Sequence, residues 1–506
     1  MEYNELEYDS GTLKHDQYCH YENLPRLLKR FSFKEKMRMA ALHSSEIIVV
    51  GGDVRNLNSK NALPWFLETF VMLAMEAVEY TDGSLDGKKF AKMYNSIMKE
   101  SSNIFDEKCG WFHSVDVFMP VIAQTQFYLQ EQPWIRRYRY WNVFNDESDP
   151  VNMKKVFLQK MGTEYEEYLL LGHLLQMMIY AQKSFGILDS QKVLHYLLNV
   201  RFRTVANHLR ITRDDYIMLQ RRFVSGSVNT KKYVYSLSPS YQYTFVDYQD
   251  EIYIPLPHLI NQNTTSSLLY RLTEGDNELR RKIGKHIWEK YVFKLVSEAG
   301  VYHEVYPEKG YIFSGSASSS PDILARIDEE VLFIDSKSTV PSIGIRLLDP
   351  DAYDDNIRYV AENIKKLYNQ ICRFDRYNPF SGKVSFDKAN HWGIVLVLED
   401  AYIRRICYFE KAKEMLHLDD DSDEWNWMKD HIKVVSLYEL ERVCLEKHSL
   451  IEACRVSFAS DPFNYTFVDY PSTNNKITHE GILKFKTMLE EKVREEAELM
   501  HKEGVI

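Results

Sequence analysis

The stretch "VLFIDSKS", Val331–Ser338, sets a carboxylate and an ammonium two residues apart at the end of an apolar run. Side chains alternate faces along a strand, so Asp335 and Lys337 share one face while Ser336 points away. Asp322 follows Pro321 in "PDILARI", thirteen positions upstream of Asp335. A turn at Asp328-Glu329-Glu330 folds that run back antiparallel and leaves Asp322 facing Asp335 across the ladder. Two such carboxylates repel one another unless a cation neutralises them or one keeps its proton. Hard oxygen ligands at an open site suit Mg²⁺ or Mn²⁺. Such an ion can bind a phosphate ester and acidify a water, and Lys337 can hold or help deprotonate that water. These residue types at this spacing point to phosphodiester hydrolysis.

The elements around the motif must hold it. "TEGDNELRRKIGKHIWEKYVFKLVSEAG" reads as a helix capped near Asp276 and stopped at Gly300. "VYHEVYPE" reads as a strand, "SGSASSS" as a flexible polar connection, and "PDILARI" and "VLFIDSKS" as two further strands. "DNIRYVAENIKKLYNQICRF" has the period of an amphipathic helix, and "HWGIVLVLED" that of a strand buried on both faces. "HIKVVSLYELERVC" reads as a last strand leading into a helix.

The pair Pro321-Asp322 … Asp335-Ser336-Lys337, set in this element order, resembles the PD-(D/E)xK nuclease superfamily with its restriction-endonuclease-like fold. The resemblance covers about residues 275–440 and implies the order αβββαβ. Members often carry one more acid in the helix before the first strand, and Glu289 in "IGKHIWEKYV" holds that place. Apolar residues at 283, 287, 291 and 295 set the helix's buried stripe beside it. Some members carry Gln-x-x-x-Tyr in the helix after the lysine; here Gln370 matches and Phe374 stands where the tyrosine would. The resemblance implies Glu289, Asp322 and Asp335 as ligands of Mg²⁺ or Mn²⁺, with Lys337 and Gln370 completing the catalytic set. It implies an endonuclease, with DNA favoured over RNA as substrate, and a homodimer where both strands of a duplex are cut. A nuclease joined to a large unrelated half is similar to bacterial effectors against phage or plasmids, where a partner protein of the defence system would act with it. The rival from another class is a non-catalytic scaffold on the same fold that binds nucleic acid or protein.

The whole chain sets the frame. It has 506 residues, 45% of them apolar and 27% charged, enough for a real core and for several domains. Net charge is −10, which argues against a surface coated by nucleic acid while leaving room for a local basic groove. The expected class is mixed α and β. A largely helical region, 1–260, meets a β-rich junction near 235–265; the motif-bearing domain takes 265–450 and a helical extension 451–506. The tail from Ile482 to Met500 has the spacing of a helix that packs on the body or on a second copy. Six cysteines without a CxxC pair read as reduced thiols of a cytoplasmic protein. The acidic N-terminus has no signal-peptide core. "PWFLETFVMLAMEAVEY" is too short and too acidic to span a membrane and reads as a buried helix.

Weaker signals lie in the N-terminal half. "PWIRRYRYW" interleaves Arg136, Arg137 and Arg139 with aromatics, a pattern suited to nucleic acid or equally to a core with an arginine rim. "RFRTVANHLRITRDDYIMLQRRF" has a helix-turn-helix flavour, with Arg203 and Arg210 among its candidate phosphate contacts. "VVGGDVRNLNSKN" has the glycines of a nucleotidyltransferase turn without the acids that should follow. His15, Cys19 and His20 lie close together with no second ligand cluster to complete a zinc site.

Overall fold

The computed structural model describes residues 18–49, 62–77, 83–107, 131–183, 185–224, 233–346, 349–381, 384–457 and 477–506. The glycine turn at 50–61, His15 and Cys109 lie outside the described residues. The chain is mixed α and β with a largely helical N-terminal portion. The apolar run at Pro64 forms a helix, Pro64–Glu76, whose residues from Pro64 to Met75 are all buried. No helix among the described residues is long and apolar enough to cross a membrane.

Helix α1, Pro133–Phe144, carries the arginine–aromatic run. Its rings at 134, 138 and 141 lie on one face by helical spacing and seat Phe485, with centroids at 6.3, 5.7 and 5.6 Å. The nucleic-acid reading of its arginines is corrected here, because all three point inward. Arg136 bonds Glu131 at 2.7 Å and also Gln262, and Arg137 bonds His173 Nδ1 at 2.9 Å and also Gln176. Arg139 forms a two-pronged ion pair with Glu441 at 2.8 and 2.5 Å. A guanidinium's rigid fork suits such buried pairing better than a lysine would.

The helix-turn-helix reading also gives way. Helices Arg203–Leu209 and Arg213–Val224 are joined by a strand, β1 (Arg210–Thr212), instead of a turn. β1 pairs parallel with β2 (Phe245–Tyr248), which pairs antiparallel with β3 (Glu251–Tyr253). Arg210 is held by Asp247 at 2.5 Å and Arg221 by Glu76 at 2.6 Å, so neither is free for phosphates, while Arg203 is exposed.

The second half is built on a five-stranded sheet whose neighbours run β10 (Ile432–Ser436), β9 (His391–Val397), β8 (Glu330–Lys337), β7 (Ile323–Ile327) and β4 (Glu304–Pro307). Asn277–Ile283, a π-turn at Gly284–Trp288 and α2 (Glu289–Glu298) lead into it, with the Asp276 side chain capping Leu279 N. β4 (Glu304–Pro307) and β7 (Ile323–Ile327) are antiparallel, as are β7 and β8 (Glu330–Lys337). α3 (Pro350–Ile371) carries the chain to β9 (His391–Val397), parallel to β8, and β10 (Ile432–Ser436) runs parallel to β9. Every residue of β9 is buried, as its apolar run requires of an inner strand. The polar connection "SGSASSS" is instead half of a two-stranded ribbon: β5 (Gly310–Phe313) pairs with β6 (Ser316–Ser319). Ser314 and Gly315 both have positive φ, 48° and 79°, the backbone of a two-residue hairpin turn that the serine-rich composition hid.

The sheet separates two cores by simple alternation. Leu332, Ile334, Ile394 and Leu396 face a cluster that also takes in Ile135, Tyr291 and Leu489. Val331, Phe333 and Val395 face a second cluster with Ile364, Leu367 and Tyr408. The first cluster draws residues from the helical portion, the sheet and the C-terminal helix α5 (Glu480–Lys502), so α5 packs on the body of this chain. Arg139, Glu441 of α4 (Leu437–Leu445) and Tyr291 of α2, whose hydroxyl donates to Glu441 at 2.8 Å, bind α1 to the sheet portion. Removing one member of a buried ion pair strands the other charge in a low dielectric. Glu441→Gln should therefore destabilise the protein by about 3–5 kcal/mol, and Arg139→Met combined with Glu441→Gln should recover most of that loss. The denaturant midpoints of the single and double variants check this.

Candidate functional site

β8 is the central strand, and it delivers Asp335 and Lys337 to the face that α3 covers. The register Ile323↔Ile334 continues to set Asp322 opposite Asp335. Asp322 Oδ2 accepts from Ser336 N at 2.6 Å, which fixes its carboxylate at the sheet margin. The predicted juxtaposition of Asp322, Asp335 and Lys337 is thus present, made by one hairpin whose turn holds Asp328 at φ 51°.

Asp335 is fully buried. The Lys337 ammonium lies 2.7 Å from its Oδ2, and the Lys366 ammonium donates to its Oδ1 at 2.9 Å. Each oxygen of the buried carboxylate therefore meets an ammonium, Oδ2 that of Lys337 and Oδ1 that of Lys366. Lys366 went unnoticed in the sequence. Its signal was there: it stands four residues before Gln370 and so shares a face of α3 with it.

Glu289 arrives from the opposite layer. The π-turn ends at Trp288 and sets where α2 begins. Ile287, Trp288, Tyr291 and Leu295 are buried, which turns the neighbouring Glu289, half-buried, toward the sheet margin. The helix runs so close to the end of β8 that a Cβ at Gly284 would lie 2.7 Å from Ser338 Oγ. Glycine there leaves Ser338 undisturbed beside the turn that leads to Glu289.

The electrostatics reflect this crowding. Burial, and then the Asp322 and Glu308 charges, push Glu289 up to about 7. Burial, and then Asp335, push Asp322 up to about 6. Burial opposes the charge on Lys337, but Asp335 and Asp322 outweigh it and raise its pKa. Carboxyls whose pKa is raised by burial and then by neighbouring carboxyls are a frequent mark of functional sites.

Gln370 stands differently from its expected catalytic place. It is buried, and its Nε2 donates to Ser319 O at 3.0 Å, so it holds the β5–β6 ribbon and does not reach the acids through that donor. Its Oε1 is buried without a partner. Phe374 is a core residue, edge-on to Phe333 at 5.1 Å. Tyr377 supplies the hydroxyl of this region and donates to Gln370 O at 2.8 Å. Beyond Lys337 a cleft of about 640 Å³ opens between Thr339–Ser342 and the first half of α3.

As to a divalent cation, the donors present suit one: two facing carboxylates and a third acid within electrostatic reach. No group of three His, Cys, Asp or Glu side chains among the described residues is gathered as a ready cage, however. In its place the two lysines balance Asp335. No protein-family model matches the chain, and no curated protein or solved structure matches it.

A carboxyl whose pKa is raised on folding binds more protons folded than unfolded, so its contribution to stability falls as pH climbs between the two values. In EDTA, Glu289→Gln should match wild type below about pH 4.5 and become progressively more stable than wild type up to and beyond pH 7. Thermal unfolding of both proteins across that range reads the difference. A gap that does not change with pH would remove Glu289 from the crowded cluster.

Proposed function

We propose that this chain is a metal-dependent nuclease of the PD-(D/E)xK type, acting on DNA in preference to RNA. The observation that carries the reading is the fully buried Asp335 carboxylate, facing Asp322 and beside Lys337 at the end of a central strand. Asp322 and Asp335 would hold Mg²⁺ or Mn²⁺, with Glu289 as the third carboxylate. The ion would supply Lewis acidity toward a phosphate oxygen and lower the pKa of a water.

The chain's own groups do the rest. Ser336 N orients Asp322, and α3 brings Lys366 to Asp335. Lys337, its ammonium state strengthened by two carboxylates, would hold the attacking water and offset the charge gathering on the phosphate. Glu289, crowded by burial and by Asp322 when no ion is bound, would give up its proton as a divalent ion binds. The helical portion would serve substrate or partner recognition, in keeping with an effector of defence against phage or plasmids.

A second reading has one observation in its favour. The lysines already neutralise Asp335, as they would in a scaffold that keeps the fold and binds nucleic acid or protein without cutting.

Two measurements separate them. Asp335→Asn and Lys337→Ala should each lower DNA hydrolysis in Mg²⁺ by at least about a hundredfold, as loss of a charge-stabilising group does. EDTA should abolish it in wild type, and RNA offered in parallel decides the sugar. Equal hydrolysis by the variants and wild type would rule the nuclease out. Independently of turnover, Lys366→Met removes a cation that competes for Asp335, so Mg²⁺ should bind roughly fivefold more tightly by calorimetry. A scaffold would show no heat that depends on Asp322 and Asp335.

A further inference from the structure

Asp335 meets two positive charges with one negative charge. Its Oδ2 lies 2.7 Å from the Lys337 ammonium and its Oδ1 2.9 Å from the Lys366 ammonium. The two lysines are not equivalent. The Lys337 side chain is 17% exposed and shares the strand of Asp335, so its ammonium has little room to leave. The Lys366 side chain is 47% exposed and reaches Asp335 from α3, across the layer. Its four-carbon stem is flexible, whereas the helix that carries it is fixed. Lys365 donates to Met415 O at 2.9 Å, and Gln370, one turn on, donates to Ser319 O at 3.0 Å. Lys366 can therefore change partner without moving α3.

The charges of the site say when it would do so. Asp335, Asp322 and Glu289 stand with the two ammoniums, while Lys285 and Glu308, which also act on Glu289, offset one another. Without an ion the acids are one charge in excess. With a divalent ion held by ionised carboxylates the balance turns over, and the cations are one charge in excess. A phosphodiester carries one negative charge and restores neutrality. An ion on Asp335 also repels any ammonium that stays on the same carboxylate. Lys366, the more exposed of the two, is the one able to leave.

We propose that Lys366 is a further catalytic residue, held on Asp335 in the ion-free site and turned onto the scissile phosphate of a nucleic acid when Asp335 takes a divalent ion. The inference rests on the nuclease reading and deepens it, since it names the group that couples ion and substrate in that site. In the ion-free state the Lys366 ammonium helps to neutralise a buried carboxylate. In the loaded state it donates a charge-assisted hydrogen bond to a non-bridging phosphate oxygen and offsets the charge that gathers there, while Lys337 stays by the attacking water. Glu362, exposed and one turn earlier on α3, is the rival acceptor for the released ammonium, and the test separates it from phosphate.

The test is the affinity of the full chain for a short DNA duplex by fluorescence anisotropy, in EDTA and then in Ca²⁺, a hard ion that takes oxygen ligands as Mg²⁺ does. Wild type should bind the duplex more tightly in Ca²⁺. Lys366→Met should stay within about twofold of wild type in EDTA, where the lysine is engaged on Asp335. In Ca²⁺ it should bind about tenfold more weakly than wild type, with a salt slope lower by about one phosphate's worth. Lys366→Arg, which keeps the charge, should recover most of that loss. Lys365→Met, the same change on the neighbouring residue, should stay within about twofold of wild type in both conditions. Melting temperatures check folding, and Lys366→Gln, which keeps a donor for Asp335, carries the comparison if Lys366→Met unfolds. The proposal is overturned if the Lys366 variant matches wild type in Ca²⁺, which leaves the ammonium on Asp335 or Glu362. It is also overturned if binding weakens equally in EDTA and Ca²⁺, which makes Lys366 an ordinary surface contact. Failure of the nuclease reading looks different: wild type then gains no duplex affinity from Ca²⁺, and Asp335→Asn changes nothing.

Discussion

The structure turns on a carboxylate taken completely out of water. Asp335 is placed by strand alternation on the same face as Val331 and Phe333, so it must enter the layer that α3 covers. A lone charge there would be prohibitively costly, and the chain meets this with two ammoniums from different elements. Lys337 comes from the same strand two residues on, and Lys366 from the helix that closes the face. The requirement to neutralise Asp335 thereby ties the sheet to α3, and α3 in turn ties the ribbon to the sheet through Gln370.

Around that centre the carboxyls are graded. Glu289 is held up near 7 and Asp322 near 6, both because burial and neighbouring negative charge disfavour ionisation. The proposed divalent ion would take over from the ammoniums the balancing of this surplus acid. That is the physical basis for reading it as a site for a divalent ion rather than as an ordinary ion pair, which at a surface would contribute little.

The helical portion is not a loose appendage. Arg139, Glu441 and Tyr291 join α1, α4 and α2 in a buried network, and Phe485 of the C-terminal helix seats in the aromatic face of the same α1. Any signal received by that portion would meet α2, the helix that carries Glu289, at its packed face.

Much of the sheet was legible in the sequence, because strand and helix periods are local properties. The helix from Asp276 to Gly300, the run at His391 and the hairpin that opposes Asp322 to Asp335 follow from apolar spacing and turn residues alone. So did the pairing of Asp335 with Lys337, which needs only that side chains alternate. What tertiary structure decided were the matters that depend on partners far along the chain. Arg136, Arg137 and Arg139 have the composition of a basic surface, and only the arrival of Gln262, His173 and Glu441 turned them inward. The serines of "SGSASSS" carry no strand propensity, yet register with Gly310–Phe313 made them a strand. Lys366 is an exposed helix lysine, and only the crossing of α3 over β8 lets its ammonium reach the buried Asp335. A sequence specifies which groups are charged and where each element turns; which charge meets which is settled by packing, because burial makes an unpaired charge intolerable.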